Sequence, residues 1–428
     1  MSDAQAATPD QTEFAEEAAP VTGKDRIGSL DFIRGIAVMG ILAANIVAFG
    51  QPFAAYMYPA AFLTEHGETS NWLTVGQYVL IDGKMRGLFT LLFGAGLYLF
   101  MERAWARGSS RMLQMWRLAI LLVFGLIHFF VIWMGDILLY YAIIGFMVVP
   151  MLKLGAKSQL WLGLIGYMAG ALFYAGFVSM PYLIAETPMG DTAEMADTRA
   201  GMEAGIADAL ADGELETGLI QSGDFVGLVT HKLQEHTWDP MLNIGLFIWE
   251  TLPLMLIGVG LYRLGFFSGE LSRRKMMRWG WVGFAVGGAM FLALGLWVKS
   301  VGFTYYAMLA AFVAWSAIPQ LLMVLGMAAL MVAYSPAWTG WLGERVRAAG
   351  RAAFTNYLGT SIVMLFIMHG WALGLFGQLN RPELYLLTAL MWVLMLAWSK
   401  PWLDRFRYGP LEWLWRCLTY RKLFPLRR

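Results

Sequence analysis

Charge is scarce in this chain. Of 428 residues, 14% are charged and 58% hydrophobic, where soluble domains carry about 25% charged and about 45–50% apolar residues. A soluble fold of this size could not hide so much apolar surface, so the solvent must be lipid. Cysteine is scarcer still. Cys417 stands alone, which rules out an internal disulfide and any cysteine-ligated metal cluster. An excess of one sign of charge is missing too: the net charge of +1 creates no global field toward nucleic acid. There is no P-loop, no Gly-x-Ser-x-Gly, no His-Glu-x-x-His and no zinc-ligand spacing, so no metal is expected. The first 29 residues lack an apolar core and carry Asp3, Asp10, Glu13, Glu16 and Glu17. They are not a cleavable signal, and residues 1–25 read as a disordered cytoplasmic tail.

What the chain does have is long apolar runs. A bilayer core needs roughly 20 apolar residues per helix. Such runs fall near 30–50, 82–102, 113–134, 136–154, 159–181, 241–262, 278–298, 305–334, 351–372 and 383–402. The expectation is an all-α, polytopic membrane bundle of about ten transmembrane helices. A stretch from Asn71 precedes the second run as an amphipathic helix, and Pro319 is placed to kink the long eighth. The Lys/Arg bias of short loops sets orientation. Arg103, Arg107 and Arg111, then Lys153 and Lys157, then Arg273, Arg274 and Lys275, then Arg345 and Arg347, and the basic tail all fall on one side if the count is even. Both termini are then cytoplasmic. The chain divides into N-terminal helices over 26–181, an acidic extracytoplasmic segment over 182–240, C-terminal helices over 241–404 and a basic cytoplasmic tail over 405–428. The acidic segment reads as short amphipathic helices, either a cap over the bundle or a tolerated loop. One echo is internal: Leu92 to Tyr98 resembles Leu256 to Tyr262. It marks either a parallel repeat or small residues at tight helix contacts.

Ionisable groups inside spans are costly and need a partner, water or a task. Asp31, Arg34 and Asn45 share one stripe of the first helix. His128 stands in the third, beyond the apolar run Leu118–Leu126, and Asp136 follows at a tight turn. A carboxylate there can hold an imidazole as a base; equally, Asp136 can cap the fourth helix. Glu250 falls near mid-membrane of the sixth span, as a pathway carboxylate or half of an ion pair. Arg351 and His369 lie five turns apart on one face of the ninth span, which brings His369 to the depth of His128. Asp82, Lys84 and Arg86 form a charged rim before the second span.

Five motifs then carry a resemblance. They are Leu30-Asp31-Phe32-Ile33-Arg34-Gly35 through Asn45, Gly83-Lys84 with Leu91-Leu92-Phe93-Gly94, and Gly125-Leu126-Ile127-His128 with Gly135-Asp136-Ile137-Leu138. The last two are Gly350-Arg351-Ala352-Ala353-Phe354-Thr355-Asn356-Tyr357 and Tyr408-Gly409-Pro410-Leu411-Glu412-Trp413. In this order, over about 26–422, the chain resembles the YeiB-like bacterial membrane family, domain of unknown function 418. That family is similar in its first helices to transmembrane acyltransferases, among them heparan-α-glucosaminide N-acetyltransferase and bacterial enzymes that decorate envelope sugars. The resemblance implies a bundle that takes an acyl group from cytosolic acyl-CoA to a sugar, lipid or small acceptor. A membrane-embedded histidine acts in those relatives, and His128 matches it. The branch that acylates sugar hydroxyls carries a histidine near the end of its first helix, where this chain has Asn45. On this reading His128 is base or acyl carrier and Asp136 its orienter. Arg34, Arg117 or Arg351 meets the phosphates of coenzyme A, and Asp31, Asn45, Glu250, Asn356 and His369 are candidate substrate contacts. Arg117 and His128 share a helix face about 16 Å apart. Transport of a small or lipid-like substrate past Glu250 is the alternative. Membrane lipids and the acceptor are the expected partners, nucleic acid is not, and the oligomeric state stays open.

Overall fold

The computed structural model describes residues 27–428, and the tail expected over residues 1–25 lies outside them. Among the described residues, regular structure is helical apart from an isolated bridge between Phe406 and Arg427. Lipid imposes this, because a helix pairs its backbone polar groups within its own segment.

Eight helical stretches are long and apolar enough to cross a membrane. The first is α1 (Gly28–Gly50). The second, Glu68–Ala106, joins α2 (Glu68–Leu80) to α3 (Lys84–Ala106), and the third is α4 (Arg111–Ile127), prolonged by a π-helical turn over His128–Ile132. After the short α5 (Leu138–Met151) come α6 (Ala156–Phe177) and α7 (Met180–Glu186), then α8 (Ala196–Ser222) and α9 (Phe225–Glu235). The C-terminal part holds α10 (Asp239–Arg263), α11 (Arg273–Ser300), α12 (Tyr305–Leu309), α13 (Ala317–Tyr334), α14 (Trp341–Arg351), α15 (Ala353–Met368), α16 (Arg381–Arg405) and the tail helix α17 (Pro410–Tyr420). Among the described residues, α14 and α15 together are apolar enough for a further span, but they meet at an 83° bend, as in a broken span or a re-entrant loop. α5 is apolar but only 14 residues long, so eight or nine spans qualify by length and composition where ten were expected. The eighth run is broken by a π turn over Ala310–Trp315, just before Pro319. Proline has no N–H for the carbonyl four residues back, and the ladder loosens there.

The echoed motifs pack against each other. A β-carbon on Gly94 would fall 2.1 Å from the Met255 carbonyl oxygen, and one on Gly258 would fall 2.0 Å from that of Leu91. The helices run parallel through this crossing: Arg86 meets Glu250 at one end and Tyr98 meets Tyr262 at the other. Both pairs are 164 positions apart, as are Gly94 and Gly258. α3 and α10 therefore contribute equivalent faces to a backbone contact that only glycine permits. Around it lies the main core, with Leu91, Leu92, Leu254, Leu256 and Val259 buried beside Leu118, Tyr141 and Val324.

The acidic segment differs from the short helices expected. α8 is 27 residues long, held by the Ala, Glu and Leu that favour helix. It is anchored at several points. Glu186 accepts hydrogen bonds from Tyr306 N (2.9 Å) and Ala307 N (3.2 Å), capping α12. Gly370 N donates to Ile220 O at 2.9 Å, and Gln221 Nε2 donates to Phe376 O at 3.2 Å. At the basic end of the bundle, α17 docks on α4 and α15. Trp415 Nε1 donates to Arg117 O (3.1 Å) and Leu411 N to Thr355 Oγ1 (3.0 Å). Cys417, on this helix, is buried, with Phe424 N 3.4 Å from its sulfur.

Candidate functional site

α4 ends in the π turn that carries His128. Such turns interrupt the regular ladder and recur at functional sites. Gly125, one turn earlier, lets the start of α5 come close, since a β-carbon there would lie 2.4 Å from Leu139 N. Asp136 stands just before α5 and does two jobs. Oδ2 accepts from Leu139 N at 2.6 Å, as a helix cap. Oδ1 lies 2.7 Å from His128 Nδ1. Capping and orienting, which the sequence posed as alternatives, coexist because a carboxylate has two oxygens.

His128 is 0% exposed, and its Nε2 has no hydrogen-bond partner. An ionised Asp136 can only accept, so Nδ1 carries the proton and Nε2 keeps a lone pair. A buried, unsatisfied nitrogen costs about 1–3 kcal/mol and calls for an explanation. Tyr357 packs on the imidazole at 5.2 Å between ring centroids and Trp133 at 6.3 Å. The Tyr357 hydroxyl accepts from Ile137 N at 3.2 Å, tying α15 to the Asp136 turn.

Two cavities flank this pair. The one toward the basic end has a volume of about 240 Å³, and Arg34, Gln114, Arg117, Arg351, Tyr357 and Glu412 supply its polar lining. The Arg117 guanidinium lies between the rings of Phe100 (4.4 Å) and Trp415 (4.2 Å). Both polar atoms of the Gln114 side chain are buried without partners. Glu412, from α17, closes the wall by accepting from Phe354 N (2.8 Å) and Thr355 N (3.1 Å) at the start of α15. The second cavity, about 350 Å³, is lined by Asn45, Asp82, Arg86, Trp133, Asp136 and Gln320, among others. His128 lines neither. Of the residues packed on the imidazole, Tyr357 lines the first cavity and Asp136 and Trp133 the second.

The other residues singled out in the sequence divide. Asp31 and Arg34 are 3.3 Å apart, and Arg34 reaches the arginine-lined cavity with Arg117 and Arg351. Asn45 lines the opposite cavity. Glu250 is an ion pair: Arg86 Nη2 lies 2.6 Å from Oε2, and Gln320 Nε2 donates to Oε1 at 2.7 Å. Asn356 is committed to structure. Its amide donates to Ala349 O (3.0 Å) and Ser399 Oγ (3.2 Å), and its oxygen accepts from Trp398 Nε1 (2.9 Å). His369 does not join His128. It caps the end of α15 beside Phe225 and Trp371, about 18 Å along the axis from Tyr357. Asp82 and Lys84 are not a solvated rim. They are 4% and 0% exposed, with Asp82 accepting from Gln77 Nε2 at 2.9 Å and the Lys84 ammonium 3.0 Å from the Phe291 ring centroid.

Three contributors had gone unassigned: Gln114, Tyr357 and Glu412. Gln114 had a readable signal, since positions 114, 117, 121 and 128 fall on one face of α4. The other two depend on contacts across more than fifty positions.

Residues 261–422 match the family model described as "Protein of unknown function (DUF418)". The chain is similar to "Uncharacterized protein YeiB" of Escherichia coli (strain K12), at 31% identity over 94% of this chain and 98% of the relative. It is similar to "Uncharacterized protein YxaH" of Bacillus subtilis (strain 168), at 28% identity over 95% and 97%. No solved structure matches.

Proposed function

The chain belongs to the DUF418 family of YeiB-like membrane proteins, and on that footing we propose that it is a transmembrane acyltransferase, moving an acyl group from cytosolic acyl-CoA to a hydroxylated acceptor on the opposite side. The observation that carries this reading is the buried imidazole with a free Nε2, packed by Tyr357, which lines one cavity, and held by Asp136, which lines the other. The arginine-lined cavity faces the cytoplasm. At about 240 Å³ it is below the roughly 300–1,000 Å³ of a drug-sized site. It suits the acyl end of a pantetheine arm, with Arg34, Arg117 and Arg351 nearest the phosphates. The opposite cavity mixes Asn, Asp and Gln with aromatic rings, which fits a sugar-like acceptor.

In the reaction, the packing of Tyr357 and Trp133 over the imidazole opens, and His128 Nε2 takes the acceptor's hydroxyl proton as its oxygen bonds to the thioester carbonyl carbon. The C–S bond breaks, and the thiolate leaves with the proton returned by His128. Asp136 stabilises the transient imidazolium. The transport alternative draws on Glu250, the Asp31–Arg34 pair and the internal repeat; of these, the Glu250 carboxylate is occupied by Arg86 and Gln320.

Arg117→Ala is expected to weaken binding of radiolabelled acyl-CoA by about tenfold or more, as loss of a charge-assisted contact of about 1.5–3 kcal/mol would. Wild-type protein that binds no acyl-CoA in a scintillation proximity assay would overturn the proposal. We place the protein in the inner membrane with both termini cytoplasmic. Reporter fusions at position 210 should read external and at 428 cytoplasmic; a cytoplasmic signal at 210 would invert the assignment of the cavities.

A further inference from the structure

Two of the five histidines lie between α6 and α10, in a cluster independent of the acyl-transfer reading. α8 and α9 are joined through Gly223 and Asp224. Asp212 on α8 offers one carboxylate oxygen to each of two imidazoles: Oδ1 is 2.7 Å from His231 Nε2, and Oδ2 is 3.1 Å from His236 Nε2. The other nitrogen of His236, Nδ1, is 2.8 Å from Asp239 Oδ2. One turn along α8, Glu216 is 9% exposed, with Oε1 buried and unpartnered. Its charged neighbours are Lys232, His236, Asp212 and His231.

A neutral imidazole has one donor nitrogen and one acceptor nitrogen, yet His236 presents both to carboxylates that can only accept. Something positive must stand at Nε2, either a proton or a metal ion. His231 converges on the same carboxylate, and the three ligand atoms lie within 4.8 Å of one another. Two imidazole nitrogens with carboxylate oxygens are the donor set of zinc-type ions. A carboxylate behind one imidazole, as Asp239 stands behind His236, is the usual outer partner of a metal-bound histidine.

We propose that Asp212, His231 and His236 bind one divalent transition-metal ion, zinc in type, with the fourth position open to water, which clamps α8 to the end of α9. Bonds of about 2.0–2.2 Å in a tetrahedron hold ligand atoms roughly 3.4 Å apart, so the side chains, now 2.7 and 3.1 Å apart, move apart on binding. The clamp bears on the bundle. Glu216 and Lys232 share a crevice with Phe53, Trp133 and Met134, and those three also line the larger cavity beside Asp136. The ion fixes the segment that backs that cavity's wall. His231 and His236 form a His-x4-His pair, within the usual spacing of zinc-binding histidines, so the sequence does hold a zinc-type spacing here, with Asp212 nineteen positions upstream of His231.

The test uses the full chain in detergent, tag removed and stripped with chelator, then titrated with Zn²⁺ under equilibrium dialysis and with Co²⁺ under absorbance. The expected result is one ion per chain at micromolar affinity or tighter, with the spectrum of tetrahedral cobalt. His231→Ala with His236→Ala should weaken binding at least a hundredfold, and Asp239→Asn by about 10–100-fold, while His66→Ala leaves it unchanged. Asp239→Asn also guards against a double variant that fails to fold. No uptake by the folded wild-type protein overturns the proposal. So does unchanged affinity in the folded double variant, or NMR showing that His236 holds a proton at Nε2 in the presence of Zn²⁺.

Discussion

Replacing His128 with alanine is expected to lower acyl transfer by on the order of 10²–10⁴-fold, the range that a positioned general base contributes. The measurement is transfer of a radiolabelled acyl group from acyl-CoA to acceptor in proteoliposomes, alongside donor binding. Binding should persist, because Arg34, Arg117 and Arg351 are untouched and His128 lines neither cavity. Asp136→Asn should cost less in turnover, because the imidazole remains, and should leave thermal stability nearly unchanged, because asparagine can still accept from Leu139 N and caps helices as well as aspartate. Folded His128→Ala with unimpaired transfer would remove both the general-base and the acyl-carrier roles.

The largest structural effect is expected at the crossing of α3 and α10. Gly258→Val puts a branched side chain where a single β-carbon already sits 2.0 Å from a carbonyl oxygen. That atom belongs to a helix backbone and cannot swing aside. Overpacking costs typically 1–3 kcal/mol where side chains can adjust, and more is expected here. Gly94→Val should behave alike, since its obstacle is the Met255 carbonyl. Both should lose the monodisperse peak in fluorescence-detected size exclusion. Gly96→Ala, with open space around its β-carbon position, should keep it. A monodisperse Gly258→Val protein would show that the helices can separate without loss of fold.

How much of this was legible in the sequence follows from the range of each interaction. The spans were readable because lipid admits only long apolar helices, and a run of such residues is local. The His128–Asp136 contact was readable because eight positions separate its members. Glu250 was readable as half of an ion pair, but its partner was not, because Arg86 is 164 positions away; the hydrogen bonds of Asn356 were hidden because its partners lie on α14 and α16. The bend between α14 and α15 was lost inside a run beginning at Arg351. Periodicity reports which residues are apolar, not where the axis turns by 83°. Gly94 and Gly258 could be seen to resemble each other, but their mutual contact is tertiary.

The solitary thiol on the tail helix gives the molecule a built-in reporter. Cys417 is buried on α17 with Phe424 N of the following chain end on its sulfur, and the same helix brings Glu412 and Trp415 to the arginine-lined cavity. A maleimide therefore meets no competing cysteine anywhere in the chain, and its reaction rate measures how often the tail lifts. Slowing of that rate by acyl-CoA would show the donor holding its own door closed, read out in an otherwise native sequence without engineered probes.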